Sequence, residues 1–178
     1  MRMLYIIGKL ITLPGSFIRA FWEHLTCKIL KLPVEEGGYI GFHDNCGHID
    51  HAFASKGFAA YLMATGPGYM NMIIGWPLML MGYINLKPLG ITPYDSIPLF
   101  IIYILSYYIG VSLLCCQFPL VEDILVFWEM AYKEKKVPVI GRIFAFIPAL
   151  VTKIGAYLER WSIPVIFWII ATVLLFIF

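Results

Sequence analysis

The chain has 178 residues, 61% of them hydrophobic and 13% charged, with a formal net charge of +2 and a mean hydropathy of +0.82. A soluble domain averages about 45–50% apolar and about 25% charged residues, so this composition excludes a soluble globular protein and, with it, disordered and collagen-like chains. The small, dispersed positive charge excludes a nucleic-acid surface, which leaves a single domain embedded in a lipid bilayer.

Residues 1–16 do not read as a signal peptide, because Lys9 interrupts the apolar run and no small-residue cleavage pattern follows. Ile18, Trp22, Leu25, Ile29 and Leu32 recur at helical spacing, with Arg19, Glu23, Lys28 and Lys31 off that stripe. Burying Lys9 or Arg19 at a bilayer centre costs about 2.5–3.5 kcal/mol each. The first 32 residues are therefore expected to form one or two interfacial or re-entrant helices split at Pro14-Gly15; a full span is the alternative. Residues 58–84 carry no charge and are long enough to cross a membrane. Gly66-Pro67-Gly68 lies inside them and predicts a broken helix, with Asn71 placed to satisfy freed backbone groups. Residues 96–116 form a second uncharged span, bounded by Asp95 and Gln117.

Residues 119–136 predict an interfacial helix. Pro119 suits its first turn, Glu122 and Asp123 complement its dipole, and Glu129 and Lys133 pair at i, i+4. Residues 143–158 predict a further amphipathic or re-entrant element, bent at Pro148. Residues 161–178 are uncharged and reach the lower length limit for a span, with Trp161 and Trp168 as anchors. The expected fold class is an all-α polytopic membrane helical bundle of three to four spans, one broken at Gly66-Pro67-Gly68, with interfacial amphipathic helices. Lys and Arg gather in residues 1–57 and 117–160, whereas the 85–95 loop holds only Lys87. The positive-inside rule then places the two basic regions in the cytoplasm.

Polar chemistry concentrates in the first third of the chain. All four histidines lie between His24 and His51, and residues 43–51 pack six potential metal ligands into nine positions. On a helix, Asp44, His48 and His51 would share one face at i, i+4 and i+7, a donor set suited to zinc. The plain alternative is a solvated loop with a turn at Gly47 and a helix cap at Asp44 or Asn45. Glu23-His24 could supply a general base and a ligand at the membrane interface; equally, they could be a solvated charge and an interfacial ring. Asp123 is either a first-turn acid or a distant carboxylate ligand reaching the histidines across the membrane surface. Cys27, Cys46, Cys115 and Cys116 form no CxxC pair and read as buried small hydrophobes, with acylation of Cys115-Cys116 the minor alternative. No GxSxG elbow, Walker loop or GxGxxG is present.

Three short stretches resemble the site-2-type intramembrane zinc metallopeptidases. The run from Glu23-His24 to Pro33-Val34 is similar to their HExxH helix, with His24 matching the second histidine. Gly66-Pro67-Gly68-Tyr69-Met70-Asn71 looks like their Gly-Pro and Asn element. Phe118-Pro119-Leu120-Val121-Glu122-Asp123 is similar to a Pro-rich acidic element of small bacterial zinc peptidases. Ala20 and Phe21 stand where the first histidine and the glutamate of HExxH belong, and Gly47 and His48 fail the same test before His51.

The resemblance implies the fold more than the reaction. It implies a zinc-binding protein of the bacterial plasma membrane that hydrolyses membrane or juxtamembrane peptides. Glu23 would be the base, and His24, His48, His51, Asp123 and Asp44 the metal ligands. A catalytically inactive scaffold, or a subunit seated on a partner membrane protein, is the alternative, and a small transporter is third. The spans lack ionisable residues, which disfavours an ion pathway.

Overall fold

The computed structural model describes residues 2–39 and 47–177. Helices α1 (Arg2–Ile11) and α2 (Leu13–Leu30) meet at 92°. Pro14 falls in the first turn of α2, where its missing N–H costs nothing. Gly15 then presses on the end of a later helix. Its N–H donates to Ser112 Oγ at 2.8 Å, and a Cβ there would lie 2.1 Å from the Ser112 carbonyl oxygen.

A two-stranded antiparallel hairpin follows, β1 (Val34–Gly38) and β2 (His48–His51), with Val34 opposite His51 and Gly38 opposite His48. The fold is therefore the expected helical bundle, with one short hairpin added to it. The expected helical face at Asp44, His48 and His51 does not exist, because His48 and His51 belong to a strand. The chain turns into that strand at Gly47, whose φ of +81° suits glycine. Residues three apart on a strand point to opposite faces. Asp44 lies outside the described residues.

Helix α3 (Gly57–Leu86) is the spine. It runs unbroken through Pro67 and Pro77, which corrects the expected break at Gly66-Pro67-Gly68. Both prolines are flanked by close helix neighbours. Around Pro67, a Cβ on Gly68 would lie 1.9 Å from the Gln117 carbonyl oxygen, so packing holds the helix where propensity would end it. Asn71 Nδ2 donates to the Cys116 carbonyl at 2.8 Å, satisfying a helix terminus rather than a break.

Helix α4 (Ile97–Cys115) returns along the second half of α3, with glycines at the crossing: a Cβ on Gly110 would meet Met79 N at 2.3 Å, and one on Gly82 would meet the Tyr103 carbonyl oxygen at 2.6 Å. Helix α5 (Val121–Trp128) and the π-helical turn Glu129–Lys133 continue along the first half, where Phe127 packs on Tyr61. Helix α6 (Val139–Arg160) runs antiparallel to α5. Tyr132 donates to the Arg142 carbonyl at one end, and Phe118 N–H donates to Glu159 at the other. It passes through Pro148 as one helix, longer than the 143–158 element expected. Helix α7 (Ile163–Ile177) closes on α3 and α4 through Trp76–Trp168 and a Tyr107–Thr172 hydrogen bond of 2.9 Å.

Among the described residues, α4 and α6 are long and apolar enough to cross a membrane, and the bent α1–α2 pair makes a third if it counts as one span. The burial of α2 is inverted relative to a water-soluble helix. Its buried face is Gly15, Ser16, Arg19, Ala20, Glu23 and Cys27. Phe21 and Ile29, by contrast, are 47% and 67% exposed. The outer face of α6, from Ile140 to Ile154, is likewise apolar and exposed. Contiguous apolar surface on this scale marks contact with lipid or another protein.

Candidate functional site

The polar centre lies where α2, β2 and α5 meet. Arg19 and Glu23 sit one helical turn apart on the buried face of α2, and both are almost completely enclosed. Arg19 Nε donates to Glu23 Oε1 at 2.9 Å. His48 Nδ1 reaches the same oxygen at 2.9 Å, and the Ile49 N–H donates to Oε2 at 2.9 Å. Both Glu23 oxygens are thus engaged, and the carboxylate clamps the hairpin onto α2. Burial holds the His48 imidazole below its usual pKa, against the opposing pull of Glu23. His48 is therefore neutral near pH 7; with Nδ1–H given to Glu23, its Nε2 keeps a lone pair. Arg19 Nη1 and Nη2 are buried with no hydrogen-bond partner among the described residues.

On the other face of β2, His51 meets Asp123, carried in the first turn of α5. His51 Nδ1 lies 3.1 Å from the Ala52 carbonyl. A carbonyl can only accept, so Nδ1 carries a proton, and Nε2 is the ring nitrogen turned toward Asp123. That Nε2 stands 3.6 Å from Asp123 Oδ1, too long for a hydrogen bond. The ring nitrogen and the carboxyl oxygen therefore face each other inside the protein without a direct hydrogen bond. Burial first, and then the neighbouring Glu23 carboxylate, push the Asp123 carboxyl up to about 7, while His51 and Arg19 pull it down. Either a proton or a cation can relieve this arrangement.

Of the sequence-derived candidates, the structure joins Glu23 with His48, and His51 with Asp123, across segments distant in the chain. His24 is placed elsewhere: its Nδ1 lies 2.7 Å from the Tyr39 hydroxyl, on a different side of α2. Among the described residues, no three His, Cys, Asp or Glu side chains gather round one point. Sequence reasoning missed Arg19 as a partner of Glu23, although their i, i+4 spacing was the available signal. It also missed the buried Lys9–Glu159 ion pair, which ties α1 to the end of α6. No protein-family model, curated protein or solved structure matches this chain.

Proposed function

We propose that the chain is a membrane-embedded protein that holds a divalent cation, zinc by its donor set, at His51 and Asp123. Hydrolysis of membrane or juxtamembrane peptides is the activity that such a site would serve. One observation carries the reading. His51 gives its Nδ1 proton to a backbone carbonyl and aims Nε2 at a buried carboxylate 3.6 Å away, which is how metal-binding histidines are oriented by their neighbours. His48, held by Glu23 on the opposite face of β2, is not a ligand of this ion and instead fixes the hairpin that carries His51. In this proposal Glu23 orients His48; the base role read from the sequence would require it to release one of its three partners. A zinc ion held there by His51 and Asp123 would lower the pKa of a bound water toward about 7.

The bilayer placement belongs to the same proposal. Helix α3 is about 45 Å long, close to the about 40–45 Å of a membrane with its headgroups. Lys56 precedes its start, where Gly57 packs against Val137, the residue after Lys136; Lys87 is the lone basic residue of the 87–95 segment after its end. The basic end faces the cytoplasm by the positive-inside rule.

A second reading, an inactive scaffold or subunit of a membrane complex, is favoured by the saturation of both Glu23 oxygens and by the separation of His24. Metal analysis of the detergent-purified chain separates the two readings. Stoichiometric zinc in the wild type, lost in His51→Ala and in Asp123→Asn, is the outcome expected of a metal protein. A chain that stays zinc-free after growth with added zinc, or variants that keep the wild-type content, would leave the scaffold.

A further inference from the structure

A second site stands apart from the histidines, at the start of α6. Tyr132, Val139, Arg142, Ile143, Phe146 and Ile147 line an open groove of about 570 Å³. Five of these six are aliphatic or aromatic, and the sixth is an arginine. Arg142 Nε is buried with no hydrogen-bond partner among the described residues. A buried, unpaired guanidinium N–H is costly, and Arg142 is the cationic side chain among the six that line the groove.

The surroundings add positive potential. Helix α6 has no acidic residue in its first turn and no side-chain cap, so the N–H groups of Val139, Ile140 and Gly141 point out of the helix end unmatched by charge. The π-helical turn and the loop feeding this end carry Lys133, Lys135 and Lys136. Glu129 pairs with Lys133 at 3.0 Å and Glu134 with Lys136 at 2.8 Å, while Lys135 is exposed and has no ion pair among the described residues. Along and beside the groove, Ile140, Ile143, Phe144 and Ile147 expose the apolar face of a helix suited to cross a membrane.

We infer that this groove binds one anionic phospholipid. Its phosphate is received by Arg142 and the first turn of α6, and one acyl chain lies along Val139, Ile143, Phe146 and Ile147. A free phosphate ion would use only the cationic end and leave the apolar trough uncovered. A zwitterionic lipid would bring its own cation against Arg142. The groove lies at the lysine-rich end of the molecule, where anionic headgroups concentrate in an inner leaflet. The site does not depend on the metal reading, since none of its residues belongs to the polar centre.

Native mass spectrometry of the full chain in detergent micelles tests this, with phosphatidylglycerol, phosphatidylcholine and inorganic phosphate as probes. The wild type is expected to retain phosphatidylglycerol in preference to phosphatidylcholine, and inorganic phosphate is expected not to displace it. Arg142→Gln should weaken retention about fivefold, the scale of one basic residue at a charged surface. Arg160→Gln removes the same charge from the exposed far end of α6 and should leave retention unchanged. Equal retention of the two lipids, displacement by inorganic phosphate, or equal loss in both variants would each overturn the assignment. The lipid comparison on the wild type decides the matter even if Arg142→Gln does not fold.

Discussion

At the scale of single residues, Asp123 sets the most direct test. Its carboxyl is raised from an ordinary 3.8 to about 7, by burial first and then by the Glu23 carboxylate. In metal-free protein the folded state therefore keeps a proton that the unfolded chain has already released. That stabilising contribution is complete below about pH 4 and is lost as pH climbs through about 7. Asp123→Asn keeps the shape and cannot ionise. In chelator, the wild-type melting temperature is expected to fall across that window while the variant's stays flatter, so that the variant is the more stable above pH 7. Parallel curves for the two proteins would show that Asp123 ionises freely. Asp123 was legible in the sequence because an acid in a first helical turn is a local signal, and because charge asymmetry put it on the same side as the histidines. Its pairing with His51 rather than His24 was not legible, since that depends on where β2 crosses α5. Arg19 was misjudged for a related reason. Periodicity separates an apolar face from a polar one but does not say which faces the protein, and here the polar face is inside.

At the scale of elements, glycine decides how closely α3 and α4 approach. Gly110 has the Met79 backbone against it, with 2.3 Å to the nearest atom of an added Cβ, and backbone cannot swing aside. Gly66, in the spine α3, would bring a Cβ only to 3.2 Å from Leu62 Cδ1, the far end of a flexible side chain. Gly110→Ala is therefore expected to destabilise the purified protein by about 1–3 kcal/mol, the range for overpacked sites. Gly66→Ala should be neutral or gain up to about 1 kcal/mol from helix propensity. Thermal unfolding in detergent reads both, and a Gly110→Ala protein as stable as wild type would mean that the helices stand farther apart. The element boundaries followed the same division between local and distant causes. Helix α4, expected over 96–116 and found as Ile97–Cys115, was readable because an unbroken apolar run stops at Asp95 and Gln117. The continuity of α3 was not, because what overrides Pro67 is packing from residues about fifty positions away. The β2 strand was not either: four residues carry no period, and its pairing partner is a separate stretch of the chain, Val34–Gly38.

At the scale of the whole molecule, the exposed apolar faces of α2, α6 and α7 and the enclosed charges Lys9, Arg19, Glu23 and Glu159 make one argument. Water would reward the opposite arrangement, since a buried ion pair has to recover its desolvation through close geometry. In a bilayer the apolar exterior costs nothing, and the interior is the only place where such charges can find partners. The spine α3 then fixes a direction, with Lys56 at its start and the 87–95 loop at its end. In a background where Cys46 is replaced by serine and buried Cys27, Cys115 and Cys116 are kept, Tyr94→Cys and Lys135→Cys report the two ends. Tyr94 is 99% exposed in the loop after α3, and Lys135 is exposed before α6. In right-side-out vesicles, a membrane-impermeant maleimide is expected to label Tyr94→Cys directly and Lys135→Cys only after permeabilisation. Labelling of both positions from one side would mean that the helices lie along the membrane rather than across it. The lysine-rich end would then owe its charge to something other than orientation, while the polar centre at His51 and Asp123 would keep its geometry in a different setting.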